Sequence, residues 1–149
     1  MNSFFSRGPK YSEDQIKEAL NALRDGIILI DKNNKIIWSN KNASEWLNLN
    51  DPFSQENIRA FFPTSDFDRF LSQSDENASL EAISPFSKST FFSLQLIPFG
   101  ETEKILVLRD ITKPIRLEKV RTDFAANASH ELRSPLTVMS GYIDLMVED

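Results

Sequence analysis

The chain has 149 residues, enough for one domain with a proper core plus an appendage. Its 40% hydrophobic and 26% charged residues are those of a soluble globular protein, and a net charge of −5 argues against a nucleic-acid partner, which wants a basic face. No cysteine is present, so disulfide frameworks and thiolate chemistry are excluded; the longest purely apolar run, Ile27–Ile30, is far too short to span a bilayer.

Residues 1–11 read as a polar, disordered lead-in, and Arg7-Gly8-Pro9-Lys10 follows no apolar stretch of the kind a signal peptide carries. From Ser12 to Arg24 the spacing of Ile16, Leu20 and Leu23 predicts an amphipathic helix capped by Ser12, with acids in its first turn. Asp25-Gly26 breaks it. Gly26–Asp31 and Lys35–Ser39 then flank Lys32-Asn33-Asn34 as a β-hairpin. Ala43, Trp46 and Leu47 predict a helix within Asn40–Leu49, and short helices are expected near Asn57–Phe62 and Asp66–Leu71. Three strands follow, at Ala78–Ile83, Thr90–Phe99 and Glu103–Arg109. In the middle one, Phe92, Leu94 and Leu96 alternate with Ser93 and Gln95 as in a half-buried strand.

Beyond Thr112 only Pro114, Pro135 and Gly141 interrupt a helical pattern. Thr112 is a good N-cap and Pro114 falls in the first turn, where a missing N–H costs little. Such a helix would run roughly 55 Å at about 1.5 Å per residue, too long to bury its stripe on one small domain. Leu117, Val120, Phe124, Ala128, Leu132, Leu136, Met139, Ile143 and Met146 form that stripe, and it calls for a partner helix. The three steps of four from Phe124 to Leu136 depart from a strict heptad. At about 100° per residue, His130, the only histidine in the chain, lies on average opposite the stripe. Glu131 is a quarter-turn round, Asn127 and Ser134 lie near the histidine's own face, and Pro135 frees the carbonyl of Glu131 and permits a bend. A neutral, exposed imidazole beside a carboxylate suits a nucleophile whose second nitrogen must keep its proton. Taken alone, His130 reads as a chance surface histidine on a coiled coil. Lys113, Arg116, Lys119 and Arg121 read as a solvated basic face.

The run from Phe124 to Leu136, with His130-Glu131 followed by Pro135, closely resembles the phosphoacceptor motif of sensor histidine kinases. The two strands, small helices and three strands before it resemble a PAS domain, a five-stranded antiparallel sheet with helices over one face. Asp25-Gly26-Ile27-Ile28, Asn40-Lys41-Asn42-Ala43 and Arg109-Asp110-Ile111-Thr112 carry that likeness. The resemblance covers residues 12 to 149 and is greatest to phosphate-regulon sensor kinases, on Gln55-Glu56-Asn57-Ile58, on Phe67, Phe70 and Leu71, and on Arg121–Met146; envelope-stress kinases share much of the layout. It implies an α+β PAS sensor domain over 12–110, a coiled-coil connector over 111–122 and the first helix of a dimerisation and phosphoacceptor domain over 123–149.

By the same resemblance His130 is the phosphoacceptor and Glu131 its acid/base partner. Ser134 stands where many such kinases carry a threonine that assists dephosphorylation of the regulator. At the junction, Asp110 and Thr112 are candidates for coupling sheet to helix through hydrogen bonds, their plain alternative being helix capping. The chain would then be the cytoplasmic part of an inner-membrane homodimer, anchored only through an upstream segment, passing phosphate to an aspartate on a response regulator. No Gly-rich ATP-binding domain is seen, so ATP and Mg are expected with the whole kinase, no cofactor with this segment, and no activity from it alone.

Without cysteine no flavin–thiol adduct forms, and the sole histidine lies outside the PAS region, which excludes histidine ligation of haem there. The twelve phenylalanines, Phe61, Phe62, Phe67, Phe70, Phe86, Phe91 and Phe92 among them, are expected to fill the core rather than line a cavity. That favours a protein-sensing or dimerising PAS domain over one holding a small ligand. The rivals are a PAS ligand- or protein-binding dimerisation module with an idle histidine, and a structural coiled-coil spacer.

Overall fold

The computed structural model describes residues 10–148, with side chains described as far as Leu132. Helix α1 (Glu13–Asn21) is followed by strands β1 (Gly26–Ile30) and β2 (Ile36–Ser39) and helix α2 (Lys41–Trp46). A 3-10 helix (Ile58–Ala60) and helix α3 (Ser65–Ser72) lead to β3 (Ser79–Ser84), β4 (Ser87–Phe99), β5 (Glu103–Asp110) and helix α4 (Thr112–Glu148). The chain divides into two compact units, Met1–Ile111 and Thr112–Asp149. The disordered lead-in expected over residues 1–11 falls almost wholly outside the described residues.

The five strands form one sheet in the order β2-β1-β5-β4-β3, and every pairing is antiparallel. This is the α+β, PAS-type architecture expected from the strand pattern. One face carries the core: Ile28 and Ile30 of β1, Phe92, Leu94 and Leu96 of β4, and Leu106 and Leu108 of β5 are all buried. Period-two alternation puts them on the same side, and the α-elements cover it with Ala43, Leu47, Ile58, Phe67, Phe70 and Leu71. On the opposite face Ile27, Leu29, Ile105 and Val107 are only half-buried.

Local chemistry sets the boundaries. Ser12 caps α1 in a reciprocal box, its hydroxyl accepting from the Gln15 N–H while Gln15 Oε1 accepts from the Ser12 N–H. The helix stops at Asn21, short of the expected Arg24. Asn40 caps α2 and Thr64 caps α3. Asn34 closes the β1–β2 hairpin at φ 64°, a left-handed position asparagine tolerates well. The helix expected over Asn57–Phe62 is a single 3-10 turn, because the chain is also bridged there, Lys35 to Asn57. Strand β4 begins three residues earlier than the sequence pattern predicts. Thr112 is the first residue of α4 rather than the residue before it, a one-residue difference of the kind helix ends show.

Five of the phenylalanines, Phe61, Phe62, Phe67, Phe70 and Phe92, are buried in this core. Ring pairs Phe62–Phe67 and Trp46–Phe92 lie 5.1 Å apart, within the range of favourable tilted contacts. Other phenylalanines depart from the expectation: Phe86 is 55% exposed at the β3–β4 turn, against Phe61 at 6.4 Å, Phe53, Phe99 and Phe124 are exposed too, and Phe91 is only half-buried.

Asn40 is the polar centre of the fold. Its side chain is buried and uses all four of its hydrogen-bonding sites. Oδ1 accepts from the N–H of Ile27 (2.9 Å) and Ala43 (3.1 Å); Nδ2 donates to the carbonyls of Leu20 (2.9 Å) and Asp25 (3.0 Å). Replacing Asn40 by alanine removes all four bonds and leaves the Ile27 and Ala43 N–H groups without these acceptors, and a stability loss of about 2–4 kcal/mol is expected. Urea unfolding checks it: the midpoint should fall with the m-value unchanged. Gly26→Ala should also destabilise, because a Cβ there meets the Trp46 ring at 3.0 Å and the Ala43 backbone at 3.2 Å.

Candidate phosphoacceptor helix

Helix α4 carries His130 and Glu131 as neighbours, both exposed. Successive residues on a helix diverge by about 100°, so the carboxylate flanks the imidazole rather than covering it. The apolar stripe is just as visible: Leu117, Val120, Phe124 and Leu132 are 57–73% exposed on the single chain. Apolar side chains spaced along a helix this way need a partner surface, whereas the polar face with His130 does not. The helix thus carries its apolar stripe and its sole histidine on different faces. Arg121 pairs with Glu118 at 3.8 Å, an exposed contact one turn apart that contributes little.

Ser134 and Pro135 lie within the helical span, but their side chains, and with them the expected phosphatase-assisting hydroxyl and the expected bend, lie outside the described residues. Asp110 is the last residue of β5, in register with Phe92 of β4, and Thr112 opens α4. His130 lies eighteen positions after Thr112, about 27 Å along the helix. Among the described residues no three His, Cys, Asp or Glu side chains cluster as metal ligands, and no helix is long and apolar enough to cross a membrane.

Contacts that the sequence did not single out surround the junction. Arg109 forks onto Asp25, Nη2 donating to Oδ2 at 3.2 Å and Nε to Oδ1 at 3.4 Å. The β1–β5 register dictates this, since Gly26 faces Leu108 and the next antiparallel pair outward is Asp25 with Arg109. The hydrogen bond to Asp25, then the charge attraction, raises the Arg109 pKa above its ordinary value, so the guanidinium stays protonated. Ile111 N–H donates to the Phe91 carbonyl at 2.9 Å, extending the sheet pairing to the last residue before α4.

Residues 120–149 match the His Kinase A (phospho-acceptor) domain family. The chain joins a PAS fold to a histidine-kinase phosphoacceptor segment. For the fold, the match is to the PAS domain of an HTR-like protein from Haloarcula marismortui, with a TM-score of 0.52 and 17% identity, covering 66% of this chain and 96% of that one. Two curated sensors align across both units. The phosphate regulon sensor protein PhoR of Pseudomonas aeruginosa is 33% identical over 137 residues, 91% of this chain and 31% of its own length. Sensor protein SrrB of Staphylococcus aureus is 32% identical over 130 residues, 87% of this chain and 22% of its own length. The chain therefore spans less than a third of the length of either relative.

The exposure of His130 has a direct chemical readout. Diethyl pyrocarbonate should place one histidine adduct per folded chain, at a rate close to that of the urea-unfolded chain. Strong protection in the folded protein would contradict the placement.

Proposed function

We propose that this chain is the cytoplasmic sensory and phosphoacceptor part of an inner-membrane, two-component sensor histidine kinase of the phosphate-regulon type. The alignment with PhoR across both the PAS fold and the phosphoacceptor segment carries the reading, and an exposed His130-Glu131 pair within the matched helix supports it. His130 is the acceptor. A neutral ring nitrogen forms the N–P bond to the γ-phosphorus of ATP as the bond to the β–γ bridging oxygen breaks and ADP leaves. The second ring nitrogen keeps its proton, and Glu131 orients it and stabilises the imidazolium that develops. The phosphoryl group then passes to an aspartate oxygen of a response regulator, which restores the neutral imidazole.

ATP and Mg come with the catalytic domain of the whole kinase. No acidic or imidazole cluster among the described residues fits the ion, so no step of the mechanism passes through it here. Ser134, Pro135, Asp110 and Thr112 keep supporting roles: the serine hydroxyl at the phosphatase-assisting position, the proline as a point of bending, and the junction pair as the link between sheet and helix. With five phenylalanines packed into the core, a protein partner or a second PAS domain suits the signal input better than a small ligand in the core.

Given ATP and a catalytic domain, in cis or in trans, the chain should acquire acid-labile, base-stable phosphate, and His130→Gln should acquire none. Glu131→Gln should retain the acceptor but slow its phosphorylation by about 10²- to 10⁴-fold. Equal labelling of the His130→Gln variant would favour the binding module with an idle histidine. The homodimer is checked separately by sedimentation: Phe124→Ser with Leu132→Ser should shift a dimer towards monomer, since both side chains belong to the exposed stripe.

A further inference from the structure

A groove of about 280 Å³ opens between the β1–β2 hairpin, α3 and β5. It is lined by Lys32 and Asn34 of the hairpin turn, Arg59 of the 3-10 helix, Asp68, Leu71 and Ser72 of α3, and Lys104 at the start of β5. Three cationic side chains thus converge there against a single carboxylate, in a chain whose net charge is −5. Like charges repel unless something offsets them, so a local excess of two positive charges on an acidic protein asks for a counter-charge.

The donors are only partly used. Arg59 spends Nε and Nη2 on Asp68, at 2.7 and 2.8 Å, and the other N–H groups of its five remain. Lys104 is half-buried. Its Nζ donates to the carbonyl of Leu71 at 2.7 Å, closing the C-terminal end of α3, which leaves two of the three ammonium protons. Capping the helix accounts for one bond of Lys104. It does not account for Lys32 and Arg59 lining the same groove. At about 280 Å³ the groove has room for a compact anion.

We infer that this groove is an anion site that takes a small, multiply charged oxyanion, of the phosphate or short dicarboxylate class, held by Lys32, Arg59 and Lys104. Asp68 tempers the site and orients the guanidinium, so a dianion is favoured over a single carboxylate. Because the groove is framed by the β1–β2 hairpin, α3 and β5, occupancy would tighten three elements of the PAS fold at once.

The test is an amide NMR titration of the 149-residue chain with inorganic phosphate and, in a second arm, succinate, at constant ionic strength set by chloride. Saturable shifts at residues 32–34, 59 and 104 are expected in at least one arm, and the tighter arm identifies the ligand class. Lys32→Gln and Lys104→Gln should each weaken that binding by at least about fivefold. Lys32 is exposed and bonded to nothing that holds the fold, so its variant stays informative if the loss of the α3 cap unfolds Lys104→Gln. Shifts that rise linearly in both arms, or an affinity unchanged in Lys32→Gln, would overturn the assignment.

Discussion

The fold turns on one buried amide. Asn40 sits between the end of α1, the start of β1 and the first turn of α2, and its side chain bonds all three. A buried asparagine is costly unless its two acceptor and two donor positions are filled; here each has a partner within 3.1 Å. The Asn40 N–H adds a fifth bond, to the Ile27 carbonyl at 2.9 Å. Asn42 repeats the device on a smaller scale, donating to the carbonyls of Leu23 and Arg24. Together they tie down the loop between α1 and β1 by its carbonyls, and they fix where β1 enters the sheet. Once β1 is fixed, its register with β5 puts Asp25 beside Arg109 and leads the last strand to Ile111.

That chain of constraints ends where the second unit begins. Sheet pairing runs to Ile111, and helix α4 begins at the next residue, Thr112. Along α4 the apolar stripe and His130 lie on different faces, and both are exposed on the single chain.

Much of the fold is legible in the sequence, because alternation and helical spacing are strong local signals. Phe92, Leu94 and Leu96 announce β4, Ser12 announces the start of α1, and the stripe from Leu117 announces α4. The weaker readings fail where non-local contacts decide. The turn at Ile58 looks helical by its spacing but is held by pairing with Lys35, and Ser87–Ser89 join β4 only because β3 lies alongside. The Asn40 hub and the Asp25–Arg109 pair could not be read from spacing, since each joins residues far apart in the chain. Their only trace was that Asn40-Lys41-Asn42 and Asp25-Gly26 stood out as family text. At the site, His130 was legible because it is the sole histidine and its neighbours are distinctive. The cationic groove was not, because Lys32, Arg59 and Lys104 come from three separate elements.

The central claim is that phosphate arrives on His130 and nowhere else in this chain. Peptide mapping by mass spectrometry under neutral conditions, after incubation with ATP and a sensor-kinase catalytic domain, tests it most directly. Phosphate confined to the peptide holding His130, and lost on brief acid treatment, is the result this account predicts. Acid-stable phosphate on a serine or threonine, or none on the His130 peptide while the regulator is still phosphorylated, would contradict it.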